Sequence, residues 1–358
     1  MERLCVIFGG ASCEHDISII TGMQLCKNLE SKYKLEKIYL GLDNNFYLAT
    51  DVKDIDFFQN KSKMKLKQII LYNGAIYIKN IFFKKYCDIV AIINCCHGGV
   101  GENGDLYSFF AINKIRSTGA DSLASHIAMD KDLAKTLLKD IVPTVKGIKI
   151  NKENYEKSIK DVKEHFTSDL IAKPNSLGSS IGVKVVDKTN FIEQLDAILA
   201  IDDSALIEER VVDKIEYNQA CILNNGELIL SAIEQPISKD KFLSFDEKYI
   251  FSNKSKGQDR IIPAKISKTL KSEIDLCTKK IYKALNMLGV VRIDYIYDVK
   301  NKILYFNEIN TIPGSMAFYL FEPVGIDYIT LVEKLIANIG DEKKYSYFDS
   351  SVLSKKMH

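Results

Sequence analysis

The sequence predicts an α/β protein with more than one domain. Its apolar residues form short runs typical of strands, and between these runs they recur every three or four residues, as in amphipathic helices. The first strand, residues 4–8, ends at Gly9-Gly10, and a helical pattern follows it. The chain has 358 residues. Because a domain commonly takes about 100–200 residues, we expect two or three domains.

The first 117 residues predict an N-terminal α/β domain. After the first helix, strand-like runs lie at residues 37–42 and 69–78. A third run, residues 87–96, is apolar almost throughout, as expected of a strand that is buried on both faces of a parallel sheet. Strands that alternate with a helix in this way are typical of the α/β class.

A second domain is predicted over residues 118–208. Apolar residues recur with helical spacing over residues 123–141, and Pro143 ends this pattern. A turn rich in glycine and serine follows later in the domain. The other elements predicted here are strands at residues 170–173 and 181–186 and a helix at residues 190–199.

The third domain, predicted over residues 209–345, contains a polar loop at residues 236–262. Loops of this length in compact proteins are usually functional or disordered. A hairpin of two strands follows at residues 290–297 and 303–310, and residues 346–358 are expected to form a tail. The other elements predicted after residue 204 are strands at residues 205–207, 217–223 and 228–233 and helices at residues 267–288 and 329–339.

The composition argues against several classes of function. Lys and Arg number 49 and Asp and Glu 47, so the formal net charge of +2 offers no broad surface for nucleic acid. The chain has no apolar run of the roughly 18 residues that a membrane helix needs and no signal-peptide pattern, so we expect a cytoplasmic protein. The eight cysteines form no Cys-x-x-Cys pair and are expected to be reduced core residues.

Polar residues on the hairpin predict a metal site. If a three-residue turn, residues 300–302, joins the strands, Asp294 lies opposite Glu308. On the same face, Arg292 then lies opposite Asn310. Facing carboxylates about 4–5 Å apart repel each other, and a divalent cation removes the conflict. Carboxylates and an amide without histidine or cysteine suit Mg²⁺ or Mn²⁺. The alternatives are a solvated polar face or a register shifted by one residue.

The turn Lys173-Pro-Asn-Ser-Leu-Gly-Ser-Ser-Ile-Gly182 suits phosphate binding. Its backbone N–H groups and serine hydroxyls can cover phosphate oxygens, while Lys173 adds positive charge. It is not a P-loop, because G-x-x-x-x-G-K-[ST] occurs nowhere in the sequence. The alternative is an ordinary turn, since many turns are rich in serine and glycine.

A second glycine-rich segment, Gly99-Val-Gly-Glu-Asn-Gly104, satisfies G-x-G-x-x-G, so a dinucleotide-binding oxidoreductase has to be considered. Glu102 and Asp105 oppose that interpretation, because they place negative charge where a pyrophosphate would lie. The oxidoreductase therefore stays a remote alternative.

Six motifs, taken in order, resemble those of the D-alanyl-D-alanine ligases of the ATP-grasp superfamily. The resemblance covers residues 4 to about 340, and six motifs in the family's order are more specific than any one of them. It implies a Rossmann-like (pre-ATP-grasp) N-terminal domain followed by the two-subdomain ATP-grasp fold. The motifs are Val6-Ile-Phe-Gly-Gly-Ala-Ser-Cys-Glu-His15, His97-Gly-Gly-Val-Gly-Glu-Asn-Gly104, Ser117-Thr-Gly119 with Ala128-Met-Asp-Lys131, residues 173–182, Arg292-Ile-Asp294 and Asn307-Glu-Ile-Asn-Thr-Ile-Pro-Gly314.

The resemblance implies that the chain binds ATP with two Mg²⁺ (or Mn²⁺) ions, which Asp294, Glu308 and Asn310 would hold. It also implies that Lys131 binds the ATP phosphates. Lys131 shares a helical stripe with Lys135, and that stripe could equally be a solvated face. The further residues that the resemblance implies in ATP binding are Lys173, Ser180, Glu209, Arg210, Val211, Val212, Glu216 and Lys248.

The resemblance also implies a reaction. The carboxylate of a first D-alanine, whose ammonium Glu14 would receive, attacks the γ-phosphate of ATP. The amine of a second D-alanine then attacks the acyl phosphate, which yields D-alanyl-D-alanine for peptidoglycan precursors. Residues 236–262 would form a lid over the substrates, and the family is commonly dimeric. The residues implied in catalysis or substrate binding are Glu14, His97, Ser179, Tyr249, Arg292, Gly314, Tyr319 and Leu320.

Departures from the family's motifs concern the second substrate. After Asn-Thr-x-Pro the chain reads Gly314-Ser-Met-Ala-Phe-Tyr-Leu320, with Tyr319 where the family has the serine that holds the carboxylate of the second amino acid. Asn103 stands in place of the usual aspartate and Tyr107 in place of a frequent glutamine. We expect D-alanine as the acceptor, with D-serine, D-lactate or another amino acid as alternatives.

Overall fold

The computed structural model describes residues 3–59, 65–165, 169–237 and 260–339. These residues form three β-sheets, each built from one successive part of the chain, with helices packed on them. The predicted α/β class is confirmed. The strands are β1 Arg3–Gly9, β2 Lys34–Leu40, β3 Phe46–Leu48, β4 Lys67–Tyr72, β5 Ala75–Lys79, β6 Phe83–Asp88, β7 Ile92–Asn94, β8 Gly147–Asn151, β9 Leu170–Pro174, β10 Lys184–Val186, β11 Ser204–Glu209, β12 Lys214–Asn224, β13 Glu227–Pro236, β14 Arg260–Ile261, β15 Val291–Asp298 and β16 Ile303–Asn310.

The helices alternate with these strands and cover them. Within the described residues, short 3-10 turns add to them at Ile55–Phe58, Gly314–Ala317 and Glu322–Val324. None of the helices in the described part of the chain is long and apolar enough to cross a membrane. The helices are α1 His15–Leu29, α2 Gly99–Glu102, α3 Asp105–Ile112, α4 Ser122–Met129, α5 Lys131–Leu138, α6 Tyr155–His165, α7 Phe191–Leu199, α8 Lys268–Ala284, α9 Phe318–Phe321 and α10 Tyr328–Ala337.

The first sheet has the strand order β6-β5-β4-β3-β2-β1-β7. Only β1 pairs in parallel, with β2 and β7, and the other neighbours are antiparallel. The single strand predicted at residues 69–78 is wrong: Asn73 and Gly74 have φ of 45° and 74° and turn the chain into a β4–β5 hairpin. Asn-Gly between apolar runs is a strong hairpin signal. The run 87–96 supplies a buried parallel strand at Ile92–Asn94 only.

The second sheet has the order β10-β9-β11-β8, with every pair antiparallel. Helices α6 and α7 pack on it in one apolar core.

The helix predicted over residues 123–141 is wrong as one element, because Asp130 adopts extended angles (φ −83°, ψ 100°) between α4 and α5. Its carboxylate accepts a hydrogen bond from Leu133 N at 2.9 Å. An aspartate N-cap therefore starts a second helix inside the apolar pattern.

The third sheet, β14-β13-β12-β15-β16, is antiparallel throughout and contains the predicted hairpin. The predicted turn is wrong by one residue, because Asp298 rather than Val299 pairs with Ile303. An irregularity after Tyr295 then shifts the register, so that Asp294 does pair with Glu308 and Arg292 with Asn310. A β-bulge inserts one residue into one strand. Here it restores the predicted facing pairs at the other end of the hairpin.

The last helices join the first sheet to the third. The apolar core that contains β1 and α1 also includes Leu320, Phe321, Leu331 and Val332.

Seven cysteines are buried and free, as expected, but Cys13 is exposed in the loop after β1. Most of the loop 236–262, with Lys248 and Tyr249, and the tail 346–358 lie outside the described residues. The predicted domain boundaries remain predictions.

A buried ionic cluster holds the second sheet against α5 and β16. Glu208 on β11 forms ion pairs with Lys173 on β9 (2.7 Å) and with Lys135 on α5 (2.6 Å). Lys135 Nζ also donates to the carbonyl of Phe306, and Lys173 Nζ to Asn307 Oδ1. Burial opposes ionisation of Glu208, but the two lysines outweigh it and lower its pKa to about 2. Glu208 is therefore ionised at neutral pH.

We predict that Glu208→Gln lowers the free energy of unfolding by about 3–5 kcal/mol, because it leaves two buried lysines without their counter-charge. Since the pKa of Glu208 is lowered, its contribution is complete above pH ~4.3 and is lost as the pH falls toward 2. Denaturant unfolding at pH 7 measures the difference. The control Glu164→Gln, at an exposed pair with Lys160, should change stability by less than about 0.5 kcal/mol. Equal stability of the two variants would contradict the role of the cluster.

Candidate active site

A cleft lies where the three sheets meet. It is bordered by the loop after β1, the start of α5, the glycine-rich turn after β9 and the end of β16. Polar and charged residues from all of these segments face it, which brings distant parts of the sequence together. The residues that line it include Glu14, Glu102, Lys131, Gly178, Glu308, Asn310 and Thr311.

The predicted metal residues lie together at the end of the hairpin. Asp294 and Glu308 are directly opposite each other on β15 and β16, so their side chains share a face. Arg292 binds both oxygens of Asp294, with Nε and Nη2 each at 2.7 Å. Asn310 Nδ2 donates to Asp294 Oδ2 at 3.1 Å. Lys131 Nζ lies 3.7 Å from Glu308 Oε2. Cations thus compensate each carboxylate.

The chemistry of this set fits a hard divalent cation. Two carboxylates and one amide supply oxygen ligands, as Mg²⁺ and Mn²⁺ prefer. Among the described residues, no group of three or more His, Cys, Asp or Glu side chains that could hold a metal is present. A cation at Asp294 and Glu308 would therefore take its other ligands from Asn310, from water or from nucleotide phosphates, which is the usual arrangement for Mg²⁺.

Lys131, which is expected at the phosphates, and Lys135, which shares its helical stripe, are both buried. Lys131 and Lys135 are 7% and 6% exposed, so the alternative of a solvated helix face is wrong for both. Lys131 Nζ donates to the carbonyl of Leu177 in the glycine-rich turn at 2.7 Å, while Lys135 is bound in the Glu208 cluster. Burial lowers the pKa of Lys131. Lys131 rather than Lys135 therefore reaches the cleft.

The glycine-rich turn is held in an unusual backbone conformation. Ser179 and Ser180 have φ of 55° and 58°, a region that L-residues rarely adopt and that concentrates at ligand sites. Its start is tied to α5, because Asn175 accepts hydrogen bonds from the backbone N–H groups of Lys131 and Asp132. The turn is therefore fixed beside Lys131 and differs from an ordinary β-turn.

Glu14 reaches this turn from the opposite side of the cleft. Its carboxylate accepts a hydrogen bond from Ser179 Oγ and is buried. Gly98 and Gly178 lie against it: a Cβ on Gly98 would be 2.9 Å, and one on Gly178 2.8 Å, from Glu14 Oε2. Glycines at both positions leave the space that the carboxylate occupies. The structure thus brings together Glu14 and Ser179, as predicted.

Glu102 fills the second glycine-rich loop. Its carboxylate accepts hydrogen bonds from Gly98 N (2.9 Å), Ile312 N (3.0 Å) and Thr311 Oγ1 (3.3 Å). Burial, together with the charge of Glu14, raises the pKa of Glu102 to about 7. The backbone donors that a pyrophosphate would need are therefore occupied by a side chain of the protein, which removes the support for a dinucleotide site.

His97 and the segment after Gly314 are linked through one hydroxyl. His97 Nε2 lies 2.9 Å from Thr21 Oγ1, which also accepts a hydrogen bond from Ser315 N at 3.2 Å. Burial lowers the pKa of His97, so the ring is neutral at pH 7. Ser315, Met316 and Ala317 have φ of 51°, 55° and 50° in succession. Gly314 therefore precedes a left-handed turn, which Thr21 links to His97.

Tyr319 and Leu320 follow this turn in α9. The side chain of Leu320 is fully buried in the core, so only its backbone can face the cleft. The ring of Tyr319 packs under the guanidinium of Arg260, at 4.8 Å, and its hydroxyl lies 3.5 Å from Glu234 Oε2. Burial raises the pKa of Tyr319 well above its usual value, so the phenol is neutral.

The residues from 209 to 216 that are expected in ATP binding run from the end of β11, across the connection, to the start of β12. Arg210 is held by Asp169 at 2.9 Å, and Glu216 pairs with Lys214. Val212 is 76% exposed, as expected of an apolar residue that a ligand would cover. The remaining residues of this set are Glu209, the last residue of β11, and Val211, on the connection to β12.

The sequence argument missed Glu208, Gly178 and Arg260. Glu208 lies two residues from Leu206, which pairs with Lys173, so the two charges share a face of the sheet. Seeing this requires the pairing of β9 with β11, which the local pattern does not contain. For Gly178 the signal was present, since a glycine within a phosphate-binding turn marks close approach by another group.

Comparisons with known proteins identify the family of this chain. The family models "D-ala D-ala ligase N-terminus" and "D-ala D-ala ligase C-terminus" match residues 3–120 and 139–337. A D-alanine–D-alanine ligase of Thermosipho melanesiensis is 32% identical, with 100% of this chain and 99% of the relative covered. One from Helicobacter pylori (strain P12) is 33% identical, with 98% of each covered.

Solved structures give the same result for the fold. The crystal structure of D-alanine–D-alanine ligase from Helicobacter pylori superposes with a TM-score of 0.79 at 30% identity and covers 94% of this chain and 98% of that one. VanG D-Ala:D-Ser ligase from Enterococcus faecalis has a TM-score of 0.81 at 23% identity, with 95% and 99% covered, which shows the fold alone. The chain belongs to the D-alanine–D-alanine ligase family and has its ATP-grasp fold.

Proposed function

We propose that this protein joins two D-alanine molecules to D-alanyl-D-alanine, a peptidoglycan precursor, with ATP and a divalent metal. The observation that carries the proposal is the position of the Glu14–Ser179 pair in one cleft with Lys131 and the facing carboxylates Asp294 and Glu308. The cleft thus contains a site for a small ammonium group beside a site for phosphate and metal. An ATP-dependent ligase of an amino acid needs both.

Glu14 supports binding of the first D-alanine. A buried carboxylate that already accepts a hydroxyl hydrogen bond can bind an ammonium group at little further desolvation cost. Gly98 and Gly178 keep side chains away from the Glu14 carboxylate. The substrate carboxylate would then point away from Glu14, toward Lys131 and the metal residues, where the γ-phosphate has to lie.

In the first step, the substrate carboxylate displaces ADP from the γ-phosphate and forms an acyl phosphate. Lys131 and Lys173, with the N–H groups of the turn at Ser179, would hold the phosphates in line for the transfer. The metal, when bound at Asp294 and Glu308, supplies positive charge for the phosphoryl oxygens. We propose two Mg²⁺ or Mn²⁺ ions, shared among Asp294, Glu308 and Asn310.

In the second step, the amine of the acceptor attacks the acyl phosphate and phosphate leaves. Negative charge builds on the carbonyl oxygen in the tetrahedral intermediate, so donors aimed at it lower the barrier. We propose that Arg292, which is fixed by two hydrogen bonds to Asp294, and the N–H of Gly314 supply these donors. Removal of one such donor typically costs about 3–4 kcal/mol.

Other parts of the proposal extend beyond the described residues. We propose that residues 236–262 close over the substrates, with Lys248 at the transferred phosphate and Tyr249 beside Glu14 and Ser179. Closure would exclude water from the acyl phosphate. We further propose D-alanine as the acceptor, a homodimer as the assembly and the three-domain division of the chain.

The first prediction is that the purified protein releases ADP and phosphate from ATP and Mg²⁺ only when D-alanine is added. The product should have the mass of the dipeptide, because the acyl phosphate is consumed by a second D-alanine. Coupled ADP detection and mass spectrometry measure the two. Parallel reactions with added D-serine or D-lactate identify a different acceptor. ATP binding without release of phosphate in the presence of D-alanine would contradict the proposal.

The second prediction concerns Gly178→Ala. A Cβ at this position would lie 2.8 Å and 3.1 Å from the two oxygens of Glu14 and displace the carboxylate, although the backbone angles suit alanine. We expect kcat/KM for D-alanine to fall at least about tenfold, while the free energy of unfolding changes by less than about 1 kcal/mol.

The matched control is Gly325→Ala, at φ 84° with no heavy atom within 4 Å of the added Cβ. It should show the reverse pattern, a loss of roughly 1–2 kcal/mol in stability from the left-handed backbone and unchanged kcat/KM. Unchanged kcat/KM in Gly178→Ala would contradict the proposal that Glu14 binds the first D-alanine.

A further inference from the structure

One row of paired residues crosses four strands of the third sheet at the active site. Glu308 lies opposite Asp294, Asp294 opposite Asn218, and Asn218 opposite Glu234. Neighbouring strands are about 4.8 Å apart, so Glu234 lies about 10 Å from Asp294. It is on the side of Asp294 away from Glu308 and Lys131. The row therefore runs from the phosphate side of the cleft, past the metal residues, to Glu234.

At the far end of this row, Glu234 and Tyr319 hold the side chain of Arg260. Arg260 Nη1 lies 3.2 Å from Glu234 Oε1, and its guanidinium stacks 4.8 Å from the centre of the Tyr319 ring. Asn218 Nδ2 donates to the other oxygen of Glu234 at 3.2 Å. The Glu234 side chain is 5% exposed, whereas that of Arg260 is 36% exposed. A buried carboxylate thus anchors an accessible guanidinium.

The second arginine near Tyr319 is already engaged. Arg292 uses Nε and Nη2 for the two oxygens of Asp294, and its side chain is only 17% exposed. Arg260 uses Nη1 for its ion pair with Glu234. A guanidinium carries five N–H donors in one plane, so the rest of its edge can receive a carboxylate with two parallel hydrogen bonds.

We propose that Arg260 binds the carboxylate of the acceptor substrate, with Glu234 and Tyr319 as the positioning residues that hold its guanidinium. This inference rests on the proposed ligase function, in which the acceptor enters on the side of Arg292 away from the phosphates. The Tyr319 ring stacks against the Arg260 guanidinium, and its hydroxyl lies 3.5 Å from Glu234 Oε2, so Tyr319 and Glu234 together fix the position of the cation.

The ligand class follows from this chemistry. A guanidinium fork recognises a planar carboxylate and not the amine or side chain beside it. Small amino acids and hydroxy acids with a free carboxylate are therefore accepted at this position, and an acceptor amide is not. The size of the acceptor is limited by the Tyr319 ring.

The test is a competition between D-alanine and D-alaninamide as acceptors in one reaction with ATP, Mg²⁺ and D-alanine. Mass spectrometry measures the ratio of D-alanyl-D-alaninamide to D-alanyl-D-alanine. This ratio depends on the acceptor step alone, because both products arise from one acyl phosphate, and it is insensitive to the fraction of folded enzyme. We expect Arg260→Ala to raise the ratio at least about tenfold, which corresponds to ~1.4 kcal/mol of lost discrimination.

Two further variants sharpen the test. Arg260→Lys keeps the charge without the fork and should raise the ratio less than Arg260→Ala. Lys271→Ala removes an exposed cation that pairs with Asp275 on α8, away from the cleft, and should leave the ratio unchanged. An unchanged ratio in Arg260→Ala would overturn the inference, and if that variant forms no product, the ratio in Arg260→Lys decides. Absence of dipeptide from the unaltered enzyme would instead overturn the proposed function.

Discussion

The site depends on one unfavourable arrangement, two carboxylates in directly facing positions on neighbouring strands. Asp294 and Glu308 are held opposite each other by the backbone pairing of the hairpin, and like charges so placed destabilise a sheet unless cations surround them. Arg292 binds one carboxylate and Lys131 approaches the other. A divalent cation at the two carboxylates would add further positive charge, which the phosphates of a nucleotide would balance in turn. The facing carboxylates therefore destabilise the strand pairing but can bind a cation.

Residues around the site also combine buried charges with strained backbone. Glu208 lies between two buried lysines. Its ion pair with Lys173 holds that amino group beside the glycine-rich turn. The left-handed serines of that turn and the three left-handed residues after Gly314 each cost backbone energy of the order of 1 kcal/mol. Packing of the surrounding core has to compensate for both. Strain in the turn that lines the cleft is what pre-organised binding predicts.

Local patterns in the sequence predicted the hairpin carboxylates and the glycine-rich turn, whereas Glu14, Ser179 and Lys131 followed from the family resemblance. The limits of the prediction are physical. The facing pair Asp294 and Glu308 follows from strand alternation, although the turn was one residue longer and a bulge corrected the register. Apolar spacing alone predicted one helix over residues 123–141, whereas Asp130 ends α4 and begins α5. Glu208 and Arg260 could not be predicted as site residues, because their roles come from contacts between strands and loops far apart in the chain.

The most direct test of the account is the binding of Mn²⁺, which electron paramagnetic resonance measures, with a non-hydrolysable ATP analogue present. The unaltered protein should bind two Mn²⁺ ions per chain, close enough for their spins to couple. Asp294→Asn should lose this binding while its unfolding curve stays close to that of the unaltered protein. Full Mn²⁺ binding by Asp294→Asn would contradict the claim that the facing carboxylates form the metal site.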